Sequence, residues 1–187
     1  MFDYIITKGR NKQVNTQLEQ FPTSEFAIIF PNRRQNSPFN IAINLFDLAY
    51  QMHLSKPMSM ISSSRRTKFK DYLPYIKRIT SEDYINFNIS DMSSEERAQA
   101  SEIIGEGLSR CLLKALFNIQ DNSLEKIKER GRRPDFRALT HDNKIIICES
   151  KGSFNNVSQE NINKAIKHNN SRKGDIRIAA INEIGSL

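Results

Sequence analysis

Apolar and polar positions change period several times along the chain, and each change marks the edge of an expected element. Residues 1–6 suit a short strand, and the polar stretch 7–20 suits helix or loop. Residues 26–30 are apolar throughout and closed by Pro31, which predicts a strand. Over residues 38–52, Ile41, Leu45, Leu48, Ala49 and Met52 recur at helical spacing, with Asn40 as a candidate cap. A stronger helix begins at Ser93 or Ser94, where a hydroxyl precedes Glu95 and Glu96. Its apolar face runs through Ala98, Ile104, Leu108, Leu112 and Ala115 to about residue 118. The period then shortens to two. Residues 123–130 suit a first strand, 136–140 alternate, His141, Asp142 and Asn143 form a polar turn, and 144–148 are an apolar run. Ser158 can cap a further helix that turns Ile162, Ala165 and Ile166 inward and Gln159, Lys164, Lys167 and His168 largely outward; residues 175–181 alternate as a last strand. No linker rich in Gly, Pro or Ser separates the halves, so residues 1–92 read as an α/β extension on a core formed by 93–187.

The hairpin predicted over 136–148 has a register that matters for chemistry. A three-residue loop at 141–143 sets Thr140 opposite Lys144, Leu139 opposite Ile145 and, by continuation, Asp135 opposite Glu149. Asn143 tolerates the left-handed conformation such a loop requires, whereas a two-residue loop would put the two carboxylates on opposite faces. Lys151 follows Glu149 by two residues and emerges on its side, while Cys148 and Ser150 point to the other. Strict alternation also puts Arg137 on the acidic face, an awkward placement that either a bulge in the strand or a role in binding phosphate would explain. Two adjacent carboxylates repel, and burial raises that cost unless a cation compensates. Mg²⁺ or Mn²⁺ suits oxygen donors. With such an ion, Lys151 could orient a water and offset charge developing on a phosphate.

Pro134 and Asp135, then thirteen residues, then Glu149, Ser150 and Lys151 resemble the signature of the PD-(D/E)XK nuclease superfamily, which includes restriction enzymes, repair exonucleases, junction resolvases and defence nucleases. The resemblance covers residues 94–181. It implies a restriction-endonuclease-like α-β-β-β-α-β core with a mixed central sheet flanked by helices. It further implies Asp135 and Glu149 as metal ligands, the Ser150 carbonyl as a further ligand, Lys151 as the catalytic lysine, and a glutamate from the preceding helix, Glu106 or else Glu102, joining the site. The activity expected is metal-dependent hydrolysis of DNA by a restriction or other defence endonuclease. The alternatives are a repair or recombination nuclease, such as a resolvase or a transposase end-cleaving subunit, a non-catalytic nucleic-acid-binding module, and an ordinary hairpin with solvated acids. Residues 1–92 would then recognise sequence or form a homodimer.

Charge agrees with a polyanionic partner. The chain carries 28 Lys and Arg against 21 Asp and Glu, a net +7, with a pI near 9.5. Arg65, Arg66, Lys68 and Lys70 interleave with Phe69, Tyr72 and Tyr75, a mixture that can neutralise phosphates and stack bases, or equally form a solvated segment anchored by its rings. Arg132 and Arg133 lead into Asp135, and Lys164 and Lys167 lie on the second core helix. Cys111 and Cys148 sit in apolar patterns as core residues, which fits a reducing cytoplasm. No apolar run has the length of a membrane span. The three histidines show no ligand spacing, and Gly105 and Gly107 resemble a phosphate loop only superficially.

Overall fold

A computed structural model describes residues 11–19, 39–55, 70–79, 85–120, 122–127, 134–154 and 158–186, with the backbone alone for 11–19, 39–42 and 70. In chain order the elements are β1 (Asn11–Glu19), β2 (Phe39–Asn44), α1 (Leu45–Leu54), a 3₁₀ turn (Lys70–Tyr72), α2 (Leu73–Lys77), β3 (Asn86–Phe87), α3 (Ser94–Leu116), β4 (Glu125–Lys126), β5 (Phe136–Leu139), β6 (Ile145–Phe154), α4 (Gln159–Asn169) and β7 (Ile176–Ser186). The strands expected over 1–6 and 26–30 lie outside the described residues, as do Arg65, Arg66, Lys68, Arg132 and Arg133.

The strands form a mixed sheet in the order β2-β1-β7-β6-β5-β4, with β3 against the end of β7. Pairing is antiparallel from β4 through β6, parallel between β6 and β7, and antiparallel again through β1 and β2. A parallel neighbour cannot be reached by a tight turn, and α4 supplies the crossover from β6 to β7. Alternate residues of β7 separate the two sides of the sheet. Ile178 and Ala180 pack with Cys148, Leu112 and Leu113 on the α3 side, whereas Ala179 and Ile181 pack with Ile162 and Ala165 of α4. Cover on both faces explains why β6 and β7 are apolar at consecutive positions.

The hairpin turns at the expected place. Asn143 has φ of 63°, and Thr140 N–H donates to the Lys144 carbonyl at 3.0 Å. The ladder pairs Leu139 with Ile145 and Phe136 with Cys148 without a bulge, so Arg137 lies opposite Ile147 and is exposed. The cap of α3 is a full capping box: Glu96 N–H donates to Ser93 Oγ at 3.2 Å, and Ser93 N–H donates to Glu96 Oε2 at 2.7 Å.

Helix α3 crosses β6 with backbone against backbone. A Cβ on Gly105 would stand 2.6 Å from the Gly152 Cα, and one on Gly152 would stand 2.1 Å from the Ser101 carbonyl oxygen. Neither site has room for a side chain, so these glycines serve close packing. Beside the crossing, Asn182 Nδ2 donates to Ser109 Oγ at 2.9 Å, and Ser109 Oγ donates to Ser150 Oγ at 2.8 Å, a buried polar link between helix and sheet.

Four expectations change. The stretch 7–20 is not helix or loop where described, because β1 takes backbone bonds from β2 on one side and β7 on the other. The helix expected over 38–52 divides at Asn44: Asn40 lies in β2 opposite Asn15, and Asn44 caps α1 by accepting the Phe46 N–H at 2.8 Å. The first core strand shrinks to Glu125–Lys126. The last one extends to Ser186, because β1 and β3 pair along its far half. Among the described residues no helix is long and apolar enough to cross a membrane.

Candidate functional site

The site forms where β5 ends and β6 continues. In the hairpin register, the Ser150 N–H would meet residue 134 across the ladder. It donates instead to Asp135 Oδ2 at 2.8 Å, while the Asp135 carbonyl accepts the Ile127 N–H at 2.9 Å. The Asp135 carboxylate is therefore drawn against the edge of β6, between the two faces of the sheet. Its neighbour across the register is Glu149, as the alternation predicts.

Glu149 points to the α4 side and is almost wholly enclosed, its side chain 2% exposed. Its Oε1 accepts from Lys151 Nζ at 2.6 Å and lies 2.9 Å from His168 Nδ1. Its Oε2 is buried with no hydrogen-bond partner. Burial, and then the charge of Asp135, push the Glu149 carboxyl above its ordinary range, against the opposing pull of Lys151 and His168. A buried acceptor without a donor costs roughly 1–3 kcal/mol, and more when charged. One oxygen has two donors; the other has none.

Glu106 occupies the α3 side. Its carboxylate accepts from Lys126 Nζ at 2.5 Å. Burial raises its pKa to about 7 despite Lys126, with a further push from Asp135. Glu102 is exposed. Pairing of Glu106 with Arg110 one turn later, the ordinary alternative for a helical acid, gives way to tertiary contacts: Arg110 donates to Gln51 Oε1 and the Leu124 carbonyl, and its guanidinium lies 5.5 Å from the centre of the Phe136 ring. The structure thus gathers Asp135, Glu149 and Lys151 around one end of the hairpin. Glu106 stands on the opposite face, linked to them through the field of Asp135.

His168 is the residue that sequence reasoning missed, having placed it outward with the lysines of its helix. It follows the fully buried Ala165 by one turn, which brings it over the sheet and onto Glu149. A position three residues after an inward alanine was the available signal. Lys164 and Lys167 are exposed as expected, and Lys164 pairs with Glu160 at 2.6 Å. Lys70 opens the 3₁₀ turn, and the neighbouring Tyr72 is buried in the core, so this ring anchors its segment. Cys148 is buried; Cys111 is partly so, and burial pushes its thiol up to about 12.

Among the described residues no group of three or more His, Cys, Asp or Glu side chains converges on one point. Mg²⁺ commonly takes one or two carboxylates and keeps several waters. Asp135 and Glu149 fit that donor set, and the unpartnered Oε2 is an acceptor that a hard cation would satisfy. No family model matches the chain, and no match was found among curated proteins or solved structures.

Proposed function

We propose that the chain is a metal-dependent nuclease that hydrolyses DNA phosphodiesters, with a restriction-endonuclease-like core. The carrying observation is the Glu149 carboxylate, enclosed at the hairpin edge beside Asp135, with Lys151 on one oxygen and nothing on the other. The order α3-β4-β5-β6-α4-β7, with three antiparallel strands followed by a parallel one, supports the α-β-β-β-α-β reading. In an extended strand the N–H and C=O of one residue point the same way, so the Ser150 carbonyl faces the Asp135 edge too and suits the role of further ligand.

Mg²⁺ or Mn²⁺ held by Asp135 and Glu149 would supply a Lewis acid for the phosphate and favour deprotonation of water. Lys151 is 30% exposed, so its ammonium can exchange Glu149 for a phosphate or an incoming water and offset negative charge as it develops. Glu106 is the third acid, acting through its proximity to Asp135. Lys164 and Lys167 are available to DNA phosphates, since an exposed pair such as Lys164 with Glu160 opens at little cost. A restriction or other defence role is the biological setting proposed, with repair or recombination as its alternative.

Supercoiled plasmid and phage DNA, incubated with Mg²⁺, Mn²⁺ or EDTA beside a Lys151→Ala control, test this reading. Cutting that needs metal and is lost in the control is expected, and discrete fragments would favour restriction. DNA binding without cutting under every metal condition would overturn the enzymatic reading in favour of a binding module.

A further inference from the structure

Two donors converge on Glu149 Oε1 from different elements: Lys151 from the same strand and His168 from α4. They are not equivalent in what they can do. The Lys151 stem is long and its head is free to rotate, so chemistry on a phosphate would take its ammonium away from Glu149. His168 is shorter and sits on an anchored helix. Ile162, Ala165 and Asn169 are buried on the sheet side of α4, and Asn170 N–H and Ser171 Oγ both donate to carbonyls of its last turn. An ionised carboxylate only accepts, so the bond from His168 to Oε1 carries the hydrogen on Nδ1.

We infer that His168 is a positioning residue that holds Oε1 of Glu149 when Lys151 leaves it, and so keeps Oε2 aimed at the cation site. This rests on the nuclease reading above. It makes the docking of α4 on the sheet part of the site, because removing His168 would leave the carboxylate free to rotate whenever Lys151 is engaged elsewhere. Groups that orient a metal ligand in this way typically change metal affinity by about 10- to 100-fold when removed.

The test is Mn²⁺ binding, followed by calorimetry on the full chain with Lys151→Ala present throughout, so that His168 alone holds Oε1. The proteins compared are wild type at positions 149 and 168, His168→Ala, His168→Asn, His168→Gln and Glu149→Ala, with melting curves for each. Wild type should bind, Glu149→Ala should not, and His168→Ala should bind about 10- to 100-fold more weakly. Asparagine places an amide N–H where Nδ1 stood, so His168→Asn should recover most of the affinity, and the longer His168→Gln should not. A folded His168→Ala that binds as wild type does would overturn this inference alone. If that variant fails to fold, equal binding by the Asn and Gln variants overturns it. Equal Mn²⁺ binding by wild type and Glu149→Ala would instead sink the metal site itself, and the inference with it.

Discussion

The two faces of β6 carry two buried glutamates in opposite circumstances. On the α3 side, Glu106 meets Lys126, which arrives from β4 and ties the helix to the edge of the sheet. On the α4 side, Glu149 meets Lys151 only two residues along its own strand, and His168 besides, yet keeps one oxygen buried and bare. Each unmatched buried acceptor weakens the fold. Doubled donors on one oxygen, with the other left open, are the arrangement on which the proposed cation ligand rests. Burial alone therefore does not separate the two glutamates; their donors do.

Breaking the Glu106 pair should have the largest effect on stability. Lys126→Met leaves a buried carboxylate without its cation, at a cost of about 3 kcal/mol where that carboxylate is charged. The sign with pH follows from the shift. Glu106 has a folded pKa of about 7 against an ordinary 4.5, so the folded protein holds its proton more tightly; that contribution is complete below pH 4.5 and is lost as pH rises through about 7. Removing Lys126 raises the folded pKa further. The variant should melt close to wild type at acid pH and well below it above pH 7, as read by melting temperature across that range.

Gly105→Ala comes next, because its new methyl meets the Gly152 backbone and cannot be accommodated by a rotamer change. A loss of roughly 1–3 kcal/mol in denaturant unfolding is expected. A smaller effect separates the helical acids. Glu106→Gln should raise the metal concentration needed for cleavage, whereas Glu102→Gln should leave it unchanged, since Glu102 is exposed. Least affected should be the response to Lys164→Ala or Lys167→Ala: folding unchanged, cleavage chemistry unchanged, and the slope of log DNA affinity against log salt reduced by about 1 per lysine that meets a phosphate.

The hairpin was readable from the chain because its determinants are local. Alternation over 136–140, a turn ending in Asn143 and the spacing to Glu149 fix the register without help from the rest of the fold. The α3 cap, Ser93 with Glu96, is local for the same reason. What escaped is tertiary. Nothing in the polar segment 11–19 announces a strand until β2 and β7 bond to it. The apolar residues over 41–52 keep a helical period across Asn44, so the boundary is visible only in the backbone pairing of β2 and the cap bond to Phe46. Glu102 and Glu106 share one helix flank, and only the tertiary fold buries one, beside Lys126 of β4, and leaves the other in solvent. The rotation of Asp135 onto the Ser150 N–H depends on β5 beginning only at Phe136. The period of α4 sets His168 one turn after the inward Ala165, but its partner lies 19 residues away across the crossover and is set by the tertiary fold.

The most direct test is the melting temperature of wild type and Glu149→Gln as Mg²⁺ or Mn²⁺ is raised from an EDTA-treated state. A cation that binds the folded protein alone stabilises it in proportion to the logarithm of its concentration above the dissociation constant. Wild type should climb with metal, while the glutamine variant should show no climb. An equal rise in both proteins would place the cation elsewhere, and no rise in wild type would contradict the reading of Oε2 as a metal acceptor.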